Sequence, residues 1–240
     1  MQNKKILLPQ MEIDIFPGGT QEKLLLALAG GRSPEGFWLQ ELVGLYPDSY
    51  VFCADKGVDY CLGNNLLPYS VVGDADSAGE AAFVRAQQLG AKVARYPREK
   101  DATDLQLLLQ ALPEGDVVIS GIWGGRFDHL YSNVFSLAAY AQRKRKTVIL
   151  ADDQEIMILV RAGENLKVKF SGKKPQDISL LPLTKATKVS LQGVHWPLES
   201  KTLSMYEPYA ISNCLEQAAN ALACGCEEGQ VGLYFSYINS

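Results

Sequence analysis

The sequence is poor in the residues that build metal centres and disulfide frameworks. Five cysteines occur, at Cys53, Cys61, Cys214, Cys224 and Cys226, with two histidines and no Cys-x-x-Cys pair. An odd cysteine count without that spacing argues against a structural zinc site and predicts reduced thiols, as in the cytoplasm. Long apolar runs are also missing: no stretch approaches a membrane span, and Met1 to Leu8 holds only a three-residue apolar run beside its lysines. That is too short for a secretory signal. Positive charge is not in excess, because 23 basic residues face 27 acidic ones for a net charge of -4. General nucleic-acid binding, which needs a basic surface, is disfavoured. No internal repeat or low-complexity linker is visible. The expectation is a cytoplasmic protein with neither a membrane nor a nucleic acid as partner.

What remains is an ordinary globular composition, 47% hydrophobic and 21% charged over 240 residues. That suffices for one large domain or two small ones. The central stretch is Val71-Val72-Gly73-Asp74-Ala75-Asp76-Ser77. A buried strand is expected to end at Val72 and to turn at Gly73. Asp74 and Asp76 are then displayed at the strand's carboxyl edge, where open α/β sheets bind ligands. Neighbouring carboxylates repel each other, and a divalent cation relieves the repulsion. Mg²⁺ fits, since it takes hard oxygen ligands and completes its shell with water and substrate phosphates. An Asp-rich capping turn is the plainer alternative for this stretch taken alone.

In chain order, residues 1–20 read as irregular apart from a short strand at Met11 to Phe16. Lys23 to Ala29 reads as a strand feeding Gly30-Gly31. Ser33-Pro34 reads as the cap and first position of a helix. Tyr50 to Ala54 is a strand ending at Asp55-Lys56-Gly57, followed by a short helix. A helix over 78–90, a strand at Lys92 to Tyr96, a helix from Leu105 to Leu112 and a strand at Asp116 to Gly121 complete the first part. This alternation predicts a parallel sheet with helices on both faces. Asp101 or Thr103 can cap the Leu105 helix, and Asp104 suits its positive end. Lys100, Asp101 and Asp104 thereby gather at the edge that carries Asp74 and Asp76. The last strand runs into Gly124-Gly125-Arg126-Phe127-Asp128-His129, at the start of a helix containing Asn133. Paired glycines let backbone N–H groups approach a ligand, and an arginine fork suits phosphate oxygens. From Thr147 onward short β-type runs prevail, with a helical pattern only around Leu215 to Ala223. The expected architecture is an α/β domain over 1–146 and a mostly antiparallel β-sandwich or barrel over 147–240.

Together these motifs resemble the thiamine pyrophosphokinase family. The resemblance rests on Ala54-Asp55-Lys56-Gly57, Gly73-Asp74-Ala75-Asp76-Ser77, Lys100-Asp101-Ala102-Thr103-Asp104 and Gly124 to His129 with Asn133. It continues in Gly193-Val194-His195-Trp196-Pro197-Leu198 and Ile211-Ser212-Asn213, in the same order. Lys56 stands where the family usually has a second glycine, and Gly31-Arg32-Ser33 replaces a more usual Asn-Gly type turn. The resemblance implies transfer of a pyrophosphoryl group from ATP to the thiamine hydroxyl, releasing AMP, with Mg²⁺ required. It implies Asp74, Asp76 and Asp101 as metal ligands, with Asp104, Arg126 and Asp128 also in the catalytic group. Asp55, Gly57, Gly73, Ser77, Lys100, Thr103, Gly124, Gly125, His129 and Asn133 would serve the nucleotide. Trp196, Ser212 and Asn213 would serve thiamine, and the family's homodimer would share its sites between subunits. Rival readings are a pyrophosphokinase with another acceptor, such as a hydroxymethylpterin, an Asp-nucleophile phosphatase in which Asp152-Asp153 imitates the second acidic pair, and a non-catalytic thiamine binder.

Overall fold

The computed structural model describes residues 3–18, 23–74, 79–207 and 209–238. The chain forms two compact units, one of Lys23–Asp153 and one of Met1–Glu22 with Gln154–Ser240. The division thus differs from the expected one at residue 146 in two places, and strand pairing explains both.

The first place is the amino terminus. Residues read as irregular contain strand β1 (Lys4–Leu8), which pairs antiparallel with β2 (Met11–Phe16). Alternating buried Ile6, Leu8, Met11, Ile13 and Ile15 give this hairpin one apolar face, the pattern of an antiparallel sheet covered on one side. That face belongs to the β unit.

The α/β unit follows. Its elements are β3 (Leu24–Leu28), α1 (Gly36–Leu45), β4 (Val51–Ala54), α2 (Gly57–Gly63), β5 (Pro68–Gly73), α3 (Gly79–Gln88), β6 (Lys92–Arg95), α4 (Asp104–Ala111), β7 (Asp116–Ser120), α5 (Phe127–Lys144) and β8 (Val148–Ala151). The strands lie in the order β8-β7-β3-β4-β5-β6, every pair parallel. Every residue of β3, β4, β7 and β8 is buried, as expected of strands covered on both faces. Thr147 to Ala151, expected in the β region, instead joins the parallel strands, with Val117 paired to Val148. The second shift of the boundary, from 146 to 153, follows from that pairing. Helix α1 starts later than the Ser33-Pro34 reading. Glu35 is its cap, its carboxylate accepting the N–H groups of Phe37 at 3.0 Å and Trp38 at 2.8 Å.

The β unit continues with β9 (Glu155–Arg161), β10 (Asn165–Phe170), β11 (Asp177–Pro182), β12 (Ala186–Gln192), β13 (Leu198–Ser204), β14 (Ala221–Glu228) and β15 (Gln230–Ser236). One antiparallel layer has the order β1-β2-β10-β14-β12-β13, and β15 pairs antiparallel with both β9 and β11. No helix forms at Leu215 to Ala223. Leu215 bridges Val194, Ala218 has a positive φ of 67°, and Ala221 already opens β14. The apolar spacing there serves strand pairing rather than a helical face.

Candidate active site

Strands β3 to β6 run one way across the sheet while β7 and β8 lie on the other side of β3. The direction of winding therefore reverses between β3 and β7, and in such sheets ligands bind at the carboxyl ends of the strands beside that reversal. A cleft of about 480 Å³ lies at this edge. It is lined by Ala29, Gly30 and Gly31 after β3, Ala54 and Asp55 at β4, Asp74 after β5, Arg98 and Lys100 to Leu105 after β6, and Ile122, Gly124, Gly125, Arg126, His129 and Asn133 after β7.

Three carboxylates meet in it. Asp55, Asp74 and Asp104 each offer an oxygen within 4.8 Å of the others, and all three are half-buried. Lys100 supplies a countercharge, with Nζ 3.6 Å from Asp74 Oδ2 and 3.2 Å from Asp104 Oδ1. Asp104 reaches this position because it opens α4 behind a capping box. Thr103 Oγ1 accepts the Gln106 N–H at 3.2 Å, and Gln106 Oε1 accepts the Thr103 N–H at 3.0 Å. Of the two cap residues considered, Thr103 fills the role. Asp101 is exposed and lines the cleft without joining the three-carboxylate group. Asp76 and Ser77 lie outside the described residues.

The chain turns sharply around this group. Asp55 has a φ of 49°, and its N–H donates to Val72 O at 2.8 Å, tying the ends of β4 and β5. Gly57 lets α2 start against β3, because a Cβ there would stand 2.1 Å from Leu28 O. Gly73 ends β5. Gly57 and Gly73 shape the cleft without lining it. Gly124 and Gly125 both have φ of 71°, a conformation that favours glycine. Arg126 then forks onto Asp128, with Nε 3.1 Å from Oδ1 and Nη2 2.5 Å from Oδ2. That hydrogen bond is the main reason the Asp128 carboxyl is held below the usual carboxylate range; the His129 N–H adds to it. His129 and Asn133 stand four residues apart on α5, so one helix face presents both to the cleft.

Within the β unit, Trp196 is 59% exposed and its ring stands edge-on to His195 with centroids 4.4 Å apart. Asn213 is buried. Its Oδ1 accepts the N–H groups of Trp196 at 3.2 Å and Cys214 at 2.9 Å, and its Nδ2 donates to Trp196 O at 2.8 Å. The asparagine amide expected to meet a ligand is therefore engaged in fixing the tryptophan backbone. Ser212 is exposed, with a φ of 56°, and its N–H donates to Ser179 Oγ at 3.1 Å.

Sequence reasoning missed Arg98 and the Ala29 to Gly31 wall. The signal was available, since both follow strand ends of the same parallel sheet. It also left Asp152 and Asp153 open as an acidic pair. Asp152 is instead fully buried against Arg32, with Nη2 2.6 Å from Oδ2, and Asp153 Oδ1 accepts the Glu35 N–H at 2.9 Å. Both have structural partners, which removes the support for the phosphatase reading.

A parallel-sheet cleft with clustered carboxylates, a lysine and a Gly-Gly-Arg loop defines a phosphoryl-handling enzyme of the α/β class. Comparison with known proteins narrows the class. The family model described as "Thiamin pyrophosphokinase, catalytic domain" matches residues 45–150, and that described as "Thiamin pyrophosphokinase, vitamin B1 binding domain" matches residues 165–223. The thiamine pyrophosphokinase of Bacillus subtilis is 30% identical over 197 residues, covering 80% of this chain and 89% of that protein. Thiamine pyrophosphokinase 1 of Oryza sativa subsp. japonica is 26% identical over 161 residues, covering 62% of this chain and 60% of that protein. The crystal structure of the Bacillus subtilis enzyme superposes with a TM-score of 0.74 at 23% identity, covering 90% of this chain and all of that one (100%). The chain belongs to the thiamin pyrophosphokinase family, and it is an ATP-dependent diphosphotransferase.

Proposed function

We propose that the chain transfers the pyrophosphoryl group of ATP to the hydroxyl of thiamine, giving thiamine diphosphate and AMP, with the phosphates seated in the α/β cleft. The observation that carries this reading is the convergence of Asp55, Asp74 and Asp104 with Lys100 beside the Gly124-Gly125 backbone. The donor set suits Mg²⁺: hard, half-buried carboxylate oxygens that meet within 4.8 Å, among them Asp104 Oδ1, buried and 3.2 Å from the Lys100 ammonium. Asp74, Asp55 and Asp104 would hold the ion, with Asp101 lining the same cleft; Asp76 is assigned to the metal by family resemblance. The ion, when bound, neutralises developing phosphate charge. Lys100 and Arg126 do the same from the protein side, and Arg98 lines the same wall. Gly57, Gly73, Thr103, His129 and Asn133 shape the nucleotide pocket, and Ser77 is assigned to it by family resemblance. Asp128, kept ionised by Arg126, orients the acceptor.

Thiamine is a cation with an aromatic pyrimidine, and the exposed Trp196 indole offers it a stacking face worth about 1 kcal/mol. Asn213 fixes the Trp196 backbone, and Ser212 offers a hydroxyl. The match of residues 165–223 to a vitamin B1 binding domain favours thiamine over a pterin as acceptor. A homodimer with composite sites and a cytoplasmic location complete the reading. The free state of all five cysteines supports the location. Among the described residues no helix is long and apolar enough to cross a membrane. Incubation with ATP, Mg²⁺ and thiamine should yield AMP and thiamine diphosphate in equal amounts. ADP in place of AMP, or transfer to a hydroxymethylpterin and not to thiamine, would refute the assignment.

A further inference from the structure

The β3 and β7 strands remain joined beyond the end of their ladder. Ala29 N–H donates to Ser120 O at 2.8 Å, Gly31 N–H to Gly121 O at 2.7 Å, and Arg32 N–H to Trp123 O at 2.5 Å. These rungs place Gly31 beside the Gly124-Gly125 loop on one wall of the cleft. At the end of the seam Arg32 turns its side chain onto Asp152, just past β8, with Nε 3.0 Å and Nη2 2.6 Å from Oδ2. A Cβ on Gly124 would stand 3.1 Å from Arg32 Cβ, so the arginine stem packs directly against the glycine loop. Tyr60 Oη donates to Gly31 O at 2.6 Å from the other side. We propose that Arg32 and Asp152 are positioning residues for the reaction: their part-buried ion pair, with Asp152 fully buried, fixes the Gly31 and Gly124-Gly125 backbone at the geometry that receives the ATP phosphates.

Stability alone gives little reason to place a carboxylate with no exposed surface there, since a buried ion pair is commonly no more stabilising than apolar packing of the same shape. Geometry gives a reason. The guanidinium is a planar fork that fixes direction as well as charge, and it links three strand ends across the reversal point. Small displacements at that point matter, because misplacing a phosphate-receiving backbone by about 1 Å costs up to about a hundredfold in rate.

The assignment rests on the phosphates lying against Gly124 and Gly125, and the test separates the two claims. ATP and thiamine KM, kcat and the thermal midpoint are measured for Arg32→Met, Arg32→Lys, Asp152→Asn and the double variant Arg32→Met/Asp152→Leu, with Lys100→Met as reporter of the cleft. Positioning predicts an ATP KM raised about tenfold or more in Arg32→Met and Asp152→Asn, a smaller rise in Arg32→Lys, and a thiamine KM within about twofold of wild type. The double variant, free of an unpaired buried charge, should recover the thermal midpoint while its ATP KM stays raised. Amide exchange at Gly31 and Arg32 should be faster in each variant. If the double variant recovers ATP KM along with stability, or if folded single variants bind ATP as wild type does, the pair is only a staple and the proposal fails. An unchanged ATP KM in Lys100→Met would overturn the cleft reading and this proposal with it.

Discussion

The two units of the chain present their chemically important side chains in different ways. In the α/β unit, residues far apart in sequence reach one edge because parallel strands all end there. Asp55, Asp74, Asp104 and the Gly124-Gly125 turn each follow a different strand. In the β unit, strands run both ways, and the notable side chains sit in the connections between β13 or β14 and their neighbours, with Trp196 held by Asn213 across a 17-residue gap. The parallel unit gathers charge by topology, whereas the antiparallel unit exposes an aromatic face through a side-chain clamp. Charge handling therefore depends on individual carboxylates, and aromatic presentation depends on the buried amide behind it.

The largest effects should come from breaking the carboxylate group. Asp74→Asn and Asp104→Asn should each lower kcat/KM by about a hundredfold or more, with circular dichroism unchanged. Asp101→Asn should cost less, because Asp101 is exposed and outside the group. The reverse order of Asp104 and Asp101 would return the metal to Asp74, Asp76 and Asp101. Smaller effects should separate the clamp from the face it holds. Asn213→Ala strips hydrogen bonds from Trp196 and Cys214 and should cost about 1–3 kcal/mol of stability, read from the denaturant midpoint, and weaken thiamine binding as well. Trp196→Ala should weaken thiamine binding by about fivefold with no change in that midpoint. The smallest effect concerns Asp128. Arg126 depresses its pKa, so the contribution of this exposed pair is present above the ordinary carboxylate range and is lost as pH falls through the depressed value. In Arg126→Gln the Asp128 titration, followed by NMR, should move up toward the ordinary range.

The same contrast explains what the sequence disclosed. Continuous apolar runs such as Val51 to Ala54 and Val117 to Ile119 announce buried parallel strands, and glycines or carboxylates at their ends announce the site edge. Thr147 to Ala151 looks the same as any short β run; only its partner, β7, assigns it to the parallel sheet. The β1–β2 hairpin was half hidden because Pro9 and the lysines disguise an alternating face. Leu215 to Ala223 carries helical spacing that strand pairing overrides. At the site, residue types were legible but partnerships were not. Asn213 reads as a ligand donor until its amide is seen on Trp196, and Asp152 reads as a spare acid until it is seen on Arg32.

The central claim is that the α/β unit receives the nucleotide and the β unit receives thiamine. Calorimetric titration of Mg²⁺ with a non-transferable ATP analogue, and separately of thiamine, into Asp74→Asn and Trp196→Ala tests it most directly. Asp74→Asn should lose metal-dependent nucleotide binding and keep thiamine binding, while Trp196→Ala should keep nucleotide binding and bind thiamine about fivefold more weakly. Loss of nucleotide binding in Trp196→Ala with thiamine binding intact would contradict it.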